Sequence, residues 1–346
     1  MIRVAINGYG RIGRVAHRVM LQAHGDALEV VAINAGSSTD LKGWMYLLQY
    51  DSVYGPLTTP LEVKEKDEDS TDENLLGSLI VNGSSIPVYS QKNPELLPWG
   101  KLEVDVVIES TGHFRKKEDV QKHLTAGAKA VVLSAPAKGE GIETFVLSVN
   151  QDAYAGQQII SNASCTTNCI APIAKIMHEH FGIEKAMMTT VHGYTSDQKL
   201  HDGGHKDYRR ARAAGLNIIP TSTGATDAAA KALPDLAGKF RGLAIRVPVP
   251  VGSLADFTFV LAKATTIQEI NEVLTRASQM PGYQGIFTVS SDPLVSSDII
   301  GNPHSSIVDL SLTDVVGGTL VKVVAWYDNE YAYANRLVEQ VRMVSR

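Results

Sequence analysis

The pattern of apolar and polar positions divides the chain into two regions. In the first region, short apolar runs typical of buried parallel strands alternate with segments that repeat apolar residues at helical spacing. Strands are predicted at residues 3–6, 28–33, 79–81, 86–89, 104–108, 130–133, 145–149 and 159–160. Helices are predicted to begin at Arg11 and to span residues 116–126, and Asn82 and Gly83 suit a hairpin turn. This alternation favours an α/β domain of the Rossmann type.

In the second region, strands predominate after a turn at residues 161–166. A helix predicted over Cys165–Phe181 opens the region, and a capping box formed by Thr266 and Glu269 marks the start of another. The chain ends in a further helix. The strands are predicted at residues 186–192, 243–247, 255–262, 307–310 and 320–326. We therefore expect a Rossmann-type domain followed by a sheet-rich catalytic domain.

Composition and charge exclude several classes of protein. The chain has 346 residues, enough for two domains, and its 44% hydrophobic and 20% charged residues are typical of globular proteins. A net charge of −5 argues against nucleic-acid binding as a main role. No apolar stretch approaches the roughly 18 residues of a membrane span, and the N-terminal sequence does not resemble a secretory signal. Two cysteines alone suit a reducing compartment, so we expect a cytoplasmic protein with no membrane partner.

A glycine-rich motif follows the first predicted strand. In Gly8-Tyr9-Gly10-Arg11-Ile12-Gly13, the first glycine permits a tight turn, the second allows a pyrophosphate to approach the backbone, and the third allows close packing of helix on strand. The N-terminus of the next helix supplies N–H donors and partial positive charge for phosphates. The motif therefore predicts NAD or NADP as the cofactor.

The second half of this cofactor motif is altered. Where NAD-binding domains carry an acidic residue at the end of the second strand, this chain has Asn34-Ala35-Gly36-Ser37-Ser38-Thr39. Without a carboxylate, a 2′-phosphate is not repelled, and the hydroxyl groups offer donors to it. We expect NADP or dual cofactor use, although no arginine lies nearby in the sequence and NAD stays open.

The segment Ser161–Cys169 carries the candidate nucleophile. Cys165 lies where a strand turns into a helix, so the helix dipole is expected to favour the thiolate. Two other interpretations compete with this one: a small buried hydrophobic residue, and a metal site formed by Cys165 and Cys169 with His178 and His180. The spacing of these two cysteines and two histidines matches no ordinary zinc pattern, so we expect no metal site.

The motif SNASCTTNC, followed by TTVHGYT, RRARAA, IIPTSTGA, IRVPVP and WYDNE, resembles the phosphorylating glyceraldehyde-3-phosphate dehydrogenase family (type I) in order and spacing. The resemblance covers nearly the whole chain. It implies a dinucleotide-binding domain at residues 1–164, completed by a C-terminal helix at 330–346, and a catalytic domain at 165–329 built on a mixed sheet. It also implies a homotetramer.

The resemblance implies a role for each site residue. Cys165 is expected to be the nucleophile and His192 its acid–base partner, in the oxidation of D-glyceraldehyde 3-phosphate to 1,3-bisphosphoglycerate through a thioester. Thr195 and Arg246 are expected to hold the substrate phosphate. The expected site for inorganic phosphate comprises Ser164, Thr166, Arg209, Thr223 and Gly224. The expected cofactor contacts are Gly8, Gly10, Arg11, Ile12, Gly13, Asn34, Ala35, Ser37, Lys92, Ser134 and Asn329, the last holding the nicotinamide carboxamide.

The chain departs from the family pattern on the cofactor side. Besides Ala35, Lys92 stands where many relatives have arginine, and Tyr331-Ala332 replaces the usual Trp-Gly. These changes concern the choice between NAD and NADP and, with it, the direction of sugar metabolism.

Two rival functions remain. Erythrose-4-phosphate dehydrogenase shares the cysteine and histidine, but the retained Thr195, Thr223 and Gly224 favour the triose substrate. A non-catalytic binding or regulatory role is supported only by the basic loop at residues 196–213.

Overall fold

A computed structural model describes residues 1–345, which divide into two compact units. The first unit comprises residues 1–144 and 154–162 and the chain from Ala334 onward, and the second comprises residues 145–153 and 163–333. None of the helices in the described part of the chain combines the length and apolarity needed to cross a bilayer.

The described residues of the first unit form nine strands and, ahead of the final helix, four α-helices. The strands are β1 Ile2–Asn7, β2 Leu28–Asn34, β3 Leu61–Glu65, β4 Leu75–Val81, β5 Ser84–Tyr89, β6 Val106–Glu109, β7 Ala130–Leu133, β8 Glu143–Thr144 and β9 Ile159–Ser161. The helices are α1 Arg11–Ala23, α2 Leu41–Gln49, α3 Lys117–Val120 and α4 Lys122–Thr125.

These strands form one sheet in the order β3-β4-β5-β2-β1-β6-β7-β9-β8. The central strands are parallel, and Asn7 at the end of β1 pairs laterally with Asn34 of β2 and Glu109 of β6. The carboxyl ends of β1, β2 and β6 therefore meet at one edge, where ligands bind in sheets of this kind. The predicted β4–β5 hairpin is confirmed, and Asn82 and Gly83 both adopt the positive φ that its tight turn requires.

The second unit contains a mixed sheet, as the family resemblance implied. Its strands are β10 Ile183–Gly193, β11 Ile219–Ser222, β12 Phe240–Val247, β13 Ser253–Leu261, β14 Phe287–Ser290, β15 Ser306–Asp309, β16 Asp314–Val316 and β17 Leu320–Tyr327. Its helices are α5 Cys165–Phe181, α6 Ala225–Ala232 and α7 Ile267–Ser278, and the chain then continues into α8 Tyr331–Val344.

The strand order is β11-β12-β10-β13-β17-β15-β14, with β16 on β17. β10 runs parallel to β12, and this register places His192 directly beside Arg246. One face of the sheet is buried with helix α5, where Ile173 and Met177 belong to the same apolar core as Phe257 and Phe259. Along β13, buried residues that face this core alternate with more exposed residues on the other face of the sheet. This alternation is expected of a strand that is buried on one side.

Two predicted elements differ from the structure. Residues 145–149 were expected to form a strand but form a turn, because Ser148 has a φ of 70° and the Val149 N–H bonds back to the Val146 carbonyl. The helix expected over 116–126 is divided into α3 and α4 at Gln121, where Leu124 N–H bonds three residues back to the Gln121 carbonyl. The short strand β8 was not predicted.

Candidate active site

The candidate nucleophile is the first residue of helix α5. The Ser164 side chain caps this helix and accepts a hydrogen bond from Thr167 N–H at 3.1 Å. Ala163, fully buried just before the cap, has a φ of 56°, which costs backbone strain in a residue with a Cβ. The strained turn and the cap together fix Cys165 where strand ends and helix begins, with part of its surface open to solvent.

The general base candidate lies at the end of β10. His192 is 3% exposed, and its Nε2 lies 3.5 Å from Cys165 Sγ. On the other side of the ring, Nδ1 lies 2.7 Å from both the Gly193 carbonyl oxygen and Arg246 Nη1. Arg246 Nη1 also donates to the Gly193 carbonyl at 3.1 Å. The thiol, the imidazole and the guanidinium therefore form one contiguous group.

Burial and charge shift the two reactive groups in opposite directions. Burial, with the Arg246 charge adding to it, lowers the pKa of His192 to about 3. Burial raises the pKa of the Cys165 thiol, opposed by the Arg246 charge and by hydrogen bonding from Thr166. The backbone N–H groups at the start of α5 favour the thiolate, as expected from the sequence, but desolvation of the sulfur outweighs them and the pKa of Cys165 is raised. The pair rests as a thiol and a neutral imidazole.

The two faces of the imidazole allow two neutral forms. When Nδ1 carries the proton, it donates to the Gly193 carbonyl and Nε2 is left as an acceptor for the Cys165 thiol proton. When Nδ1 accepts from Arg246, the proton is on Nε2 and is donated toward the sulfur. His192 is thus placed either to take a proton from Cys165 or to stabilise its thiolate.

Unpaired buried donors lie around Arg246 and the loop after β10. Arg246 Nε is buried and has no hydrogen-bond partner, and the same is true of Gln198 Nε2. Gln198 Oε1 accepts the Thr195 N–H at 3.3 Å, which fixes the turn that carries Thr195. Buried donors without a partner, one of them on a guanidinium, are suited to an oxyanion such as phosphate. Gln198 was not predicted, because its role depends on the fold of this turn.

Two helix N-termini are tied together near Cys165. Thr167 Oγ1 at the start of α5 donates to the Ala225 carbonyl at the start of α6 at 3.3 Å. Gly224, the N-cap of α6, is exposed, and Thr223 Oγ1 accepts the Ala225 N–H at 3.2 Å. Two positive helix ends converging on one place form a suitable site for an anion.

Two of the hydroxyl groups expected at this anion site are already engaged. Ser164 Oγ caps α5, and Thr166 Oγ1 lies 2.9 Å from the buried Tyr327 hydroxyl. Tyr327 also contacts Thr190 at 2.8 Å, and its ring meets the His192 ring edge-on. Tyr327 therefore contacts both Thr166, next to the nucleophile, and the ring of His192. No sequence motif indicated this role.

Asn329 belongs to a chain of hydrogen bonds that begins at the end of strand β10. Gly193 N–H donates to Ser253 Oγ at 3.3 Å, and the Ser253 hydroxyl donates to Asn329 Oδ1 at 2.9 Å. Gly252 N–H donates to the same oxygen at 3.1 Å. Since its oxygen is occupied by these donors, the Asn329 amide nitrogen is the group left to donate to a ligand.

The glycine motif of the first unit fits a dinucleotide phosphate. A Cβ on Gly13 would lie 2.2 Å from the Gly8 carbonyl oxygen, and Gly8 itself has a φ of 95° and backbone packed against it. A Cβ on Gly10, in contrast, would meet nothing within 4 Å. No side chain caps the N-terminus of α1. The motif therefore leaves an open concave backbone at a helix N-terminus, as a pyrophosphate requires.

The remaining cofactor candidates take different positions in this unit. The Asn34 side chain is buried and bonds Asn7 and Gln91, so it orders the loop after β2 from inside. The Arg11 side chain forms an ion pair with Asp51 at 2.6 Å. Lys92 and Ser37 are exposed, whereas Ala35 is half-buried. Ile12 follows Arg11 in the first turn of α1, and Ser134 N–H bonds the Glu109 carbonyl at the end of β6.

Comparison with known proteins assigns the chain to a family. The sequence model of the glyceraldehyde 3-phosphate dehydrogenase NAD binding domain matches residues 2–117, and that of the C-terminal domain matches residues 164–329. The chain is 49% identical over 340 residues to glyceraldehyde-3-phosphate dehydrogenase of Geobacillus stearothermophilus, covering 98% of this chain and 96% of the relative. It is 48% identical over 347 residues to glyceraldehyde-3-phosphate dehydrogenase 1 of Bacillus subtilis, covering 100% of this chain and 98% of the relative. The chain belongs to the glyceraldehyde-3-phosphate dehydrogenase family.

Membership of the glyceraldehyde-3-phosphate dehydrogenase family confirms the recognition made from the sequence motifs. It makes the chain an oxidoreductase with a nicotinamide-dinucleotide domain. It does not favour the erythrose-4-phosphate alternative. Among the described residues, no group of three or more His, Cys, Asp or Glu side chains is arranged to hold a metal ion.

Arg210, the neighbour of the predicted Arg209, is the arginine of this loop whose charge acts on His192. Arg209 is exposed. Arg210 instead donates to Thr221 Oγ1 at 2.8 Å, to Asp197 at 2.5 Å and to the Ser222 carbonyl at 3.2 Å. Its charge contributes to lowering the pKa of His192. Sequence alone could not decide between adjacent arginines, because the choice depends on which one the loop turns inward.

Proposed function

We propose that this chain catalyses the phosphorylating oxidation of D-glyceraldehyde 3-phosphate to 1,3-bisphosphoglycerate. The observation that carries the proposal is the contact between Cys165 Sγ and His192 Nε2 at 3.5 Å, with Arg246 against the far side of the imidazole. A nucleophile and a base in contact, next to orphaned anion donors, suit covalent catalysis on a phosphorylated aldehyde.

The first half of the reaction forms a thioester. His192 Nε2 takes the Cys165 thiol proton, and the sulfur adds to the aldehyde carbon; the carbonyl oxygen, now an alkoxide, receives that proton and the product is a thiohemiacetal. Oxidation then removes a hydride from this carbon and a proton from its hydroxyl group. His192 takes the proton, and bound NAD or NADP supplies the hydride acceptor. Because its pKa is lowered to about 3, His192 is neutral at physiological pH, so a ring nitrogen is free to accept a proton.

The second half of the reaction transfers the acyl group to phosphate. An oxygen of inorganic phosphate attacks the thioester carbon, the C–S bond breaks, and the electron pair returns to Cys165 as a thiolate. We assign the attacking phosphate to the joined N-termini of α5 and α6, with Thr223, Gly224 and Arg210. We assign the substrate phosphate to Thr195 and Arg246, where the orphaned donors support an anion.

The proposed reaction is tested by the rate of NAD(P)H formation with glyceraldehyde 3-phosphate. Cys165→Ser should lose activity by about 10³-fold or more, because an alcohol is a much weaker nucleophile. Cys169→Ser, one helical turn along, is the matched control and should keep most of the activity. A rate that does not depend on inorganic phosphate would contradict the proposal, because water would then release the thioester.

We further propose that the chain uses NADP, alone or together with NAD. The loop after β2 carries no acidic residue, and Ser37, Ser38 and Thr39 supply hydroxyl groups there. Lys92 follows β5, which pairs with β2, so its positive charge belongs to the same end of the sheet. Ala35→Asp should shift the ratio of NADP to NAD activity toward NAD by about tenfold or more, because a carboxylate repels a 2′-phosphate.

We also propose a homotetramer. The face of the second sheet opposite α5 exposes large apolar side chains, among them Met187, which is 69% exposed, and Leu243, which is 43% exposed. A sheet face of this kind is suited to burial against another subunit.

A further inference from the structure

A tryptophan contacts the loop after β2. Trp44, on helix α2, donates its indole N–H to Ser38 Oγ at 3.0 Å. The Ser38 hydroxyl oxygen also accepts the Asp40 N–H at 3.4 Å. Of the three adjacent hydroxyl residues, Ser37 and Thr39 are exposed, and Ser38 is the half-buried one.

The two donors fix the chemical character of the Ser38 hydroxyl group. An sp³ hydroxyl oxygen has two lone pairs and one hydrogen. Trp44 and Asp40 occupy the lone pairs, and no acceptor among the described residues takes the hydrogen. The Ser38 hydroxyl is therefore left with its hydrogen as a donor to a ligand.

The backbone of the loop is clamped in the same conformation. Ser38 N–H bonds the Ala35 carbonyl at 3.3 Å and closes a turn through Gly36, whose φ is 70°. On the β5 side, Ala35 N–H bonds the Tyr89 carbonyl at 2.8 Å, and Ser90 Oγ donates to the Gly36 carbonyl at 3.4 Å. The Ser38 hydroxyl thus has a fixed position.

Trp44 is itself held by the phosphate-binding motif. Its ring meets the Tyr9 ring edge-on at 6.1 Å, and the Arg14 guanidinium carbon lies 5.6 Å from its centroid. Tyr9 stands between Gly8 and Gly10, and Arg14 donates to the Tyr9 carbonyl at 2.8 Å. One indole ring therefore connects the glycine turn to the loop after β2.

We propose that Trp44 is a positioning residue for cofactor selectivity, which holds the Ser38 hydroxyl group as a donor to the ribose 2′-phosphate of NADP. A phosphate oxygen accepts hydrogen bonds only, and a bond to its charge is about twice as strong as one to a neutral hydroxyl. The 2′-hydroxyl of NAD gains less from the same donor. This inference rests on the proposed use of NADP and names the device that favours it.

The test measures equilibrium dissociation constants of NADP and NAD by titration calorimetry, without substrate. Trp44→Phe keeps the ring between Tyr9 and Arg14 but removes the indole N–H. We expect the Kd for NADP to rise about three- to tenfold, with little change in the Kd for NAD. Ser38→Ala should give the same shift, and the double variant should be no worse than either single variant, because both act on one contact.

Two controls separate this role from general damage. Tyr46→Phe removes a polar group from an exposed ring of the same helix, and Tyr50→Phe does the same at the exposed C-cap of that helix; neither should alter the ratio of the two constants. Equal weakening of NADP and NAD in Trp44→Phe would overturn the inference, as would an unchanged NADP affinity in Ser38→Ala.

The wild-type protein distinguishes the two proposals. If it prefers NAD, the proposed use of NADP fails. The role of Trp44 is still supported if Trp44→Phe moves the ratio further toward NAD, and is overturned if the ratio does not move.

Discussion

At the scale of single residues, the environment of Cys165 and His192 is set by burial and by one arginine. Burial favours the neutral form of each group, so it raises the pKa of the thiol and lowers that of the imidazole. The Arg246 charge favours the thiolate and disfavours the imidazolium. Arg246 is therefore the group that makes the nucleophile more acidic while keeping the base unprotonated.

Replacing Arg246 should change the pH dependence of cysteine reactivity. In Arg246→Ala, the pKa of Cys165 should rise further, and alkylation by iodoacetamide at a fixed pH below that pKa should slow about three- to tenfold, because less of the sulfur is thiolate. The profile of rate against pH should move toward alkaline values. Arg241→Ala, an exposed arginine on the same strand, is the control. A profile that stays in place, or moves toward acid, would contradict this role.

The sequence was enough to name candidate site residues, but it did not give their protonation states or their contacts. Motifs located Cys165 and His192, because their neighbours in the chain are distinctive. The direction in which the pKa of Cys165 moves depends on how much water the fold removes from the sulfur, and the contact of Arg246 with His192 depends on strand register. Neither quantity is encoded locally.

At the scale of elements, the sequence predicted secondary structure best where local signals and tertiary packing favour the same conformation. Helix α5 was predicted over its full length, since Ser164 is a strong cap and the following apolar residues all face the core. The segment at 145–149 is as apolar as a strand but turns at Ser148, because Asn150 Oδ1 accepts the Val146 N–H. A side chain competing for backbone hydrogen bonds overrides the apolar pattern there.

Alanine substitutions at two glycines of the cofactor motif should separate an effect on stability from an effect on cofactor binding. Gly13→Ala should lower the free energy of unfolding by about 1–3 kcal/mol, because its Cβ meets the Gly8 backbone. Gly10→Ala should leave stability nearly unchanged, since its Cβ enters open space, yet weaken dinucleotide binding by occupying that space. Urea unfolding and cofactor titration check the pair. Equal loss of stability in both variants would contradict the assignment of Gly10 to the ligand.

Helix α1 carries a buried histidine that should make the fold acid-sensitive. His17 is fully buried, its Nδ1 lies 2.6 Å from the Tyr9 hydroxyl, and burial lowers its pKa to about 4. The unfolded state, with an ordinary pKa of about 6.5, binds more protons between these values, so stability falls as pH drops from 6.5 to 4, by up to about 3 kcal/mol.

His17→Asn tests this effect, because its amide oxygen can accept from Tyr9 but does not titrate. Urea unfolding should show the variant less stable than the wild type at pH 7, with the difference shrinking as pH falls toward 4. His201→Asn, at an exposed position, should leave the pH dependence as it is. A constant difference between His17→Asn and wild type across this range would refute the prediction.

At the scale of the whole molecule, the exposed face of the second sheet bears on assembly. Met187→Glu places a charge on this apolar face and should shift a tetramer toward smaller species in sedimentation velocity, because a buried unpaired carboxylate is costly. Met280→Glu makes the same change at an exposed methionine outside the strands and is the matched control. If both variants sediment like the wild type, this face is not a subunit contact.

The parallel pairing of β10 with β12 has a consequence for how the folded state is judged. His192 and Arg246 face each other only in this one alignment, and side chains alternate between the faces of a sheet, so a slip of one residue would take Arg246 away from the imidazole. A molecule in which β10 and β12 pair in the wrong register would be inactive and would not catalyse a different reaction. The reactivity of one thiol therefore counts the correctly aligned molecules in any refolded preparation.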